Sequence, residues 1–463
     1  MSQTIESMSV ELSSSASTPV GVLVIGRKRP GFDMEWNQIM RRSALEALKE
    51  EGFTAIGAET PVLDDQTVRD AIARIREAGC DTLLVLQPSL GNGQVAFAVM
   101  QNWDGPVVLW ATPERQEAPK VSSCSLVAQH LWASIFRHSS RAFEFVYGDP
   151  SDELVQQSLR KALLVSAIPK LLKRTKAGLV GSHAPGFIPM HADPFSLQTK
   201  LGVQLQSLSL PQFIDRTKTV DEDRLAEDVN KAREWNFANE DLSDAELQMD
   251  SRYYLAMRDL IEEEQLDALA VQCWPELSSN QWPYLAMTRL TNEGLIVSME
   301  GDVDGALTCL IGKQMEAGVG FITDWLEHDE KTITFWHPGV APLSLCYPAG
   351  SKKGPSLGRH FNIAKAAVVD GPLKADLPVT IARLWRCDGH YHVTALEGNT
   401  ISPRRELTGN AGLVNVDGVN VNEWFEEALH AGLPHHVIVF GGHHADSFRR
   451  LARMMKLNWF SVK

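Results

Sequence analysis

Along the first third of the chain, short continuous apolar runs alternate with segments whose apolar residues recur every three to four positions. VGVLVIG (20–26) is a compact apolar run ending on glycine, the pattern of a strand buried on both faces. MEWNQIMRRSALEALKEEG (34–52) has helical spacing and closes on Gly52, a natural helix stop. VRDAIARIREAG (68–79) predicts a second helix, and DTLLVLQ (81–87) and GPVVLWA (105–111) predict further strands. A long helix is expected from about Asp152 to Leu172. Strands spaced by amphipathic helices predict a doubly wound α/β domain over residues 19–172.

A second α/β domain, expected over 173–342, opens on the apolar run AGLVGS (177–182). Its acidic segment 220–264 reads as helical with a solvated charged face. Four strands follow: LDALAVQCW (266–274), GLIVSM (294–299), AGVGFITDW (317–325) and KTITFWH (331–337). After about Pro342 the helical period fades, and turn residues separate strand-like runs such as FNIAKAAVV (361–369), PVTIARLWRC (378–387) and YHVTALEGNT (391–400). A β-rich domain is therefore expected over 343–463, its end returning to strand and helix in HHVIVFGG (435–442) and ADSFRRLARMMK (445–456). The predicted fold class is α/β, with two doubly wound parallel-sheet domains followed by a β-rich C-terminal domain.

Composition narrows the partners. A chain of 463 residues suits two or three domains of ~100–200 residues each. The net charge of −14 argues against nucleic acid, which needs clustered Lys and Arg. No apolar run reaches the ~20 residues that span a bilayer, so no membrane partner is expected. Residues 1–18 are rich in Ser and Thr without an apolar core, and read as a flexible tail, not a signal peptide. The six cysteines are scattered without a CxxC pair, which fits reduced, buried thiols in a cytoplasmic protein. There is no GxGxxG after the first strand and no GxxxxGK[ST], so the phosphate cradle of nucleotide enzymes is missing.

Three polar groups fall where strands are predicted to end. Glu300 follows GLIVSM, Asp324 closes AGVGFITDW, and His337 closes KTITFWH. In an open parallel sheet, ligands bind at the carboxyl ends of strands, so these groups are expected to share one crevice. Carboxylates with imidazole suit Mn²⁺, Mg²⁺ or Co²⁺ better than structural zinc. The plain alternative is a solvated loop residue or a helix N-cap, a role Asp302 fits before VDGALTCLIGKQM. LPHHVIVFGGHHADSF carries His435, His436, His443 and His444, and local pattern alone selects none of them as a ligand.

The stretch SMEGDVDGALTCLIGKQMEAGVGFITDW resembles the metal-binding core of the L-fucose/L-arabinose isomerase family. That family has an E-x-D-x-x-x-G segment followed some two dozen residues later by an Asp. Glu300 and Asp302 fit this wording, although the glycine position falls on Ala306, with Gly305 one place early. LPHHVIVFGGHHAD resembles the segment of the third metal ligand, an N-H-G before an apolar strand. The match maps that ligand onto His435, with Pro434 in place of Asn and His436 in place of Gly. FWHPGVAP (335–342) resembles an H-C-G-x-A-P segment, with Pro338 where Cys is common.

The resemblance implies an aldose–ketose isomerase that moves a proton between C1 and C2 of a sugar through an enediol, or by a hydride shift that needs the same residues. It implies Mn²⁺, or Mg²⁺ or Co²⁺, held by Glu300, Asp324 and His435, with the two carboxylates also acting as bases. Gln272 is an implied substrate contact; Trp274 and Trp282 read as walls of the substrate pocket or as buried structural tryptophans, and His337 as an extra ligand or a contact to a sugar hydroxyl. In the family an Arg of the N-terminal domain reaches a neighbouring subunit's site in a homo-oligomeric trimer or hexamer, and Arg27 or Arg29, from the loop GRKRPGFD (26–33), fits that role or that of a solvent-exposed basic turn. Leu90 stands where the family carries an aromatic contact, and the chain is short for an L-fucose isomerase. Both features count against L-fucose itself; the substrate class stays a deoxyhexose, a pentose or a modified hexose, with a sulfonated one such as sulfoquinovose as the alternative, since cationic residues could receive its anionic group. Rival readings are a non-catalytic sugar-binding protein and a metal-dependent aldolase or epimerase.

Overall fold

The computed structural model describes residues 18–27, 32–117, 119–234, 238–239, 242–362 and 367–462. The expected tail up to residue 17, residues 28–31 of the 26–33 loop (Arg29 among them) and 363–366 of the expected strand 361–369 lie outside the described residues. The chain divides into two compact units, Met1–Lys170 and Leu171–Lys463.

The first unit is a five-stranded sheet, β1 (Thr18–Val24), β2 (Phe53–Ile56), β3 (Leu83–Gln87), β4 (Val107–Ala111) and β5 (Phe143–Tyr147), all parallel in the order β2-β1-β3-β4-β5. Successive strand residues face opposite sides, and both sides are apolar. Leu23, Leu83 and Val85 pack with Ile72, Val95 and Trp132 of the helices Asp65–Glu77, Gly93–Asn102 and Ser125–His138. Val22, Leu84 and Leu86 pack with Ala44 and Leu159 of the helices Met34–Glu50 and Glu153–Arg174. This is the doubly wound arrangement that the alternation of runs predicts.

The second unit holds two sheets. Strands β6 (Lys176–Val180), β7 (Gln204–Leu208), β9 (Ala268–Val271) and β10 (Val297–Ser298) form a parallel sheet in the order β10-β9-β6-β7. The second sheet takes in β8 (Ala238–Asn239), β11 (Phe321–His328), β12 (Thr332–His337), β13 (Ser356–Gly358), β14 (Val368–Pro372), β15 (Pro378–Cys387), β16 (His390–Ile401), β17 (Asn410–Val416), β18 (His436–Gly441) and β19 (Asn458–Trp459). Six of its strands pair antiparallel in the sequence β16-β15-β18-β11-β12-β17, and a further β16–β17 pairing closes them into a ring.

The ring corrects one expectation. β11 and β12, expected among the strands of the second α/β domain, pair within the antiparallel ring. Asp324 consequently lies inside β11 rather than at its end, one residue before the irregularity at Trp325/Glu327. An apolar run such as AGVGFITDW reads the same whichever strand direction its partners take, so its pattern does not distinguish the two sheets. Among the described residues, no helix is long and apolar enough to cross a membrane.

Candidate metal and sugar site

Where β10 ends, the backbone turns sharply. Glu300 has φ +60° and Gly301 φ +71°, left-handed values that are unusual for a side chain as large as glutamate. The turn is clamped from two sides: Ala184 N–H donates to the Glu300 carbonyl (2.9 Å) and Gly301 N–H donates to the Val271 carbonyl (3.0 Å). A Cβ on Gly301 would lie 2.2 Å from the Ser182 carbonyl oxygen, so only glycine admits the 182–184 loop this close. Glu300, 7% exposed, is thus placed at the carboxyl edge of the parallel sheet.

Two residues on, Asp302 caps the helix Val303–Gln314 by accepting from Gly305 N–H (2.9 Å). That helix packs against β15 and β18 of the ring, with Leu384 N–H donating to Thr308 Oγ1 (3.1 Å). The packing brings Asp302 to Arg383, whose two terminal nitrogens donate to its two oxygens (2.7 and 2.8 Å), and to His436, whose Nδ1 lies 3.0 Å away. Burial pushes the Asp302 carboxyl up, but the Arg383 charge and the His436 hydrogen bond outweigh it and hold the group well below the usual carboxylate range. An ionised carboxylate accepts only, so Nδ1 of His436 carries the proton and Nε2 faces the other way.

His436 Nε2 looks onto two further carboxylates, Glu300 Oε2 at 3.5 Å and Asp324 Oδ1 at 3.7 Å. His435 Nε2 also faces Glu300 Oε2, at 3.8 Å. Glu300, His435 and His436 form the one group of potential metal ligands found among the described residues. Burial lowers the His436 pKa, yet the hydrogen bond to Asp302 and the charges of Asp302, Glu300 and Asp324 prevail and raise it. Burial raises the Asp324 carboxyl, against the pull of His436 and His435.

These atoms approach without bonding. Glu300 Oε2, His435 Nε2 and His436 Nε2 are buried and have no hydrogen-bond partner. Buried polar atoms are almost always satisfied, so three unpartnered ones within 4.8 Å of one another fit a shared positive centre. Adjacent ligands of an octahedral ion bound at ~2.1 Å sit about 3 Å apart, close to the spacings seen here. Carboxylate oxygens with imidazole nitrogens also make the donor set that Mn²⁺ accepts.

The remaining expected site residues divide. His337 ends β12, 2% exposed, with its ring 5.8 Å from that of His436 and 5.5 Å from Tyr284. Burial, followed by the charges of neighbouring histidines, pushes its pKa well down and leaves it neutral. Gln272, after β9, already uses both ends of its amide: Oε1 accepts from Ser182 N–H (2.8 Å) and Nε2 donates to Glu276 (2.8 Å). It fixes the loop that clamps Glu300. Trp274 packs edge-on to Phe187 (5.7 Å), which in turn packs on His435 (4.7 Å), so it supports the wall of the site. Trp282, Tyr284 and His360 form a stack beside His337. Arg27 belongs to the first unit, where it is exposed and lies over the Phe32 ring at 4.6 Å. His444 Nε2 is engaged with the Gly441 carbonyl (3.0 Å).

Two residues of this site carry no sequence expectation as ligands or supports, His436 and Arg383. His436 was legible in one respect: it opens an apolar strand, where a polar side chain is buried and must find a partner. Arg383, in the middle of a strand-like run, gives no such signal.

Comparison with known proteins finds sugar isomerases. Residues 21–124 match the family model for the N-terminal domain of fucose/sulfoquinovose isomerase, and 190–318 match that for the L-arabinose isomerase central domain. A Priestia megaterium protein named sulfoquinovose isomerase is 27% identical over 447 residues, covering 95% of this chain and 98% of its own. Proteins of the same name from Alkalicoccus urumqiensis (25% identical, 94% and 98% covered) and Clostridium sp. strain MSTE9 (27%, 82% and 86%) are similar over most of their length. Fold, site and relatives define an aldose–ketose isomerase, an intramolecular oxidoreductase acting on sugars. The chain belongs to the L-fucose/L-arabinose isomerase family.

Proposed function

We propose that this isomerase is divalent-cation dependent and converts a sulfonated aldohexose, sulfoquinovose, into its 2-ketose. The observation that carries the cation is the convergence of the orphaned Glu300 Oε2, His435 Nε2 and His436 Nε2. Glu300, His436 and Asp324 would hold the ion, with His435 as a fourth donor. A bound cation supplies Lewis acidity to the neighbouring carbonyl and hydroxyl oxygens of the sugar. The substrate rests on the name shared by relatives that align along nearly the whole chain.

The chain's own groups account for the proton movements. Isomerisation breaks the C2–H bond and forms a C1–H bond, while a proton leaves O2 and one arrives at O1. Glu300 and Asp324 flank the site from two different sheets, so one carboxylate serves each side of the C1–C2 unit. Asp324, whose carboxyl burial pushes up, is suited to take the carbon-bound proton and return it. His337, neutral and buried, supports the His436 ring without adding positive charge.

The test uses metal-free protein with and without Mn²⁺, given sulfoquinovose, L-fucose, D-arabinose and L-arabinose, with products followed by NMR. Ketose is expected from sulfoquinovose and only with Mn²⁺. Glu300→Gln and Asp324→Asn should each slow it by about 10²–10⁴-fold. Ketose at an undiminished rate after chelation overturns the cation, and a product of C–C cleavage overturns the isomerisation.

A further inference from the structure

We infer that Asp302 and Arg383 are positioning residues that fix the proton of His436 on Nδ1 and aim its Nε2 at Glu300 and Asp324, and that residue 305 is glycine to leave room for them. The inference rests on the cation reading above and names what builds that site.

The Asp302 carboxylate is saturated. Oδ1 accepts from Gly305 N–H and from Arg383 Nη2, and Oδ2 accepts from Arg383 Nη1 and from His436 Nδ1. Four hydrogen bonds exhaust its lone pairs, so the group can neither rotate nor turn to another partner. His436 is fully buried and is held at the start of β18, where Asp324 is its partner residue on β11. With Nδ1 committed to Asp302, the only lone pair that can point towards the two other carboxylates is that of Nε2. A carboxylate behind a ligating imidazole sets its tautomer and orientation, and loss of such a partner typically costs 10–100-fold in metal affinity.

Arg383 is 1% exposed and its Nε has no partner, so it is an expensive residue to bury for stability alone. Its two satisfied nitrogens both go to Asp302, apart from a long contact of Nη2 with the Met190 sulfur. Its two donations hold the Asp302 carboxylate against His436 Nδ1. Gly305 closes the arrangement. A Cβ there would lie 2.3 Å from Asp302 Oδ2 and 2.8 Å from Arg383 Nη1, displacing both. This explains why a glycine stands at 305, one place earlier than the E-x-D-x-x-x-G wording has it.

Two measurements test the inference on the whole protein. The first uses metal-free wild type carrying ¹⁵N-histidine, with the His436 signals identified by their loss in His436→Gln. A proton on Nδ1 is expected; a proton on Nε2 alone overturns the inference. The second is Mn²⁺ affinity, read from the free-Mn²⁺ EPR signal, for Asp302→Asn, Arg383→Met and Gly305→Ala, with thermal unfolding recorded for each. A 10–100-fold loss is expected in every variant that remains folded. Wild-type affinity in folded Asp302→Asn overturns it. Should none of the variants fold, the nitrogen spectrum of the wild type still decides. A wild type that binds no Mn²⁺ sinks the cation reading instead, and shows as a different result from a misplaced proton.

Discussion

Glu300 is the residue on which most of the site depends, and its position is a backbone matter before it is a chemical one. The left-handed turn at 300–301 holds its carboxylate against His435 and His436, and the turn survives only because residue 301 lacks a Cβ. Gly301→Ala is therefore expected to lower the melting temperature and to reduce kcat, because a shift of the Ser182 carbonyl moves Glu300; calorimetry and steady-state kinetics check this. A second prediction concerns His360, stacked on Trp282. Burial lowers its pKa to about 4, against 6.5 unperturbed. A folded-state value below the unfolded one means stability is fully present above pH 6.5 and is lost as pH falls towards 4. The melting temperature of His360→Gln should fall less steeply over that window than that of the wild type. At this scale the sequence was partly legible. Position after a strand left Glu300 open as a solvated loop residue or a helix cap, and only the E-x-D resemblance singled it out. Choosing His435 over His436 was beyond the sequence, since both imidazoles reach the site and only the Asp302 contact distinguishes them. Gln272, expected as a sugar contact, has its amide bonded to Ser182 N–H and to Glu276.

The helix Val303–Gln314 is the element that joins the two sheets of the second unit. Its N-terminus leaves the parallel sheet at Glu300, and its side packs on β15 and β18 of the ring. Short apolar strands and a capped helix were readable from their periods. That the ring takes in β11 and β12 was not, because direction and partner depend on contacts between distant segments. A second inter-element clamp lies in the helices around the parallel sheet. Arg289, on Tyr284–Asn292, pairs with Asp228 (2.7 Å) on Glu222–Arg233 and Asp250 (3.1 Å) on Asp244–Glu263, and lies 3.9 Å over the Tyr254 ring. Replacing it with Met leaves two buried carboxylates unpaired and is expected to cost about 3–5 kcal/mol by chemical denaturation. Burial already raises Asp250 to about 6. Arg289 holds that value down, so in Arg289→Met the carboxyl takes up its proton at a higher pH than in wild type, and the deficit should shrink as pH falls towards 6.

For the whole molecule, the alternation of runs in the first unit and the strand-rich end of the second carried the fold class, since each depends on local period. The site could not be read the same way. It draws on the parallel sheet for Glu300 and on the ring for Asp324, His435 and His436, and the two histidines stand more than a hundred positions from either carboxylate. Only the resemblance to known isomerases linked them beforehand. We propose in addition that the chain assembles as a trimer or hexamer, for which sedimentation should return three or six times the 51.3 kDa chain mass. The most direct test of the account is a crystal soaked in Mn²⁺ and measured for anomalous scattering at the manganese edge. A peak is expected within ~2.0–2.3 Å of the Glu300 and Asp324 oxygens and His436 Nε2, with His435 Nε2 as the fourth donor. A peak elsewhere, or none in crystals of protein that converts its sugar, would contradict it.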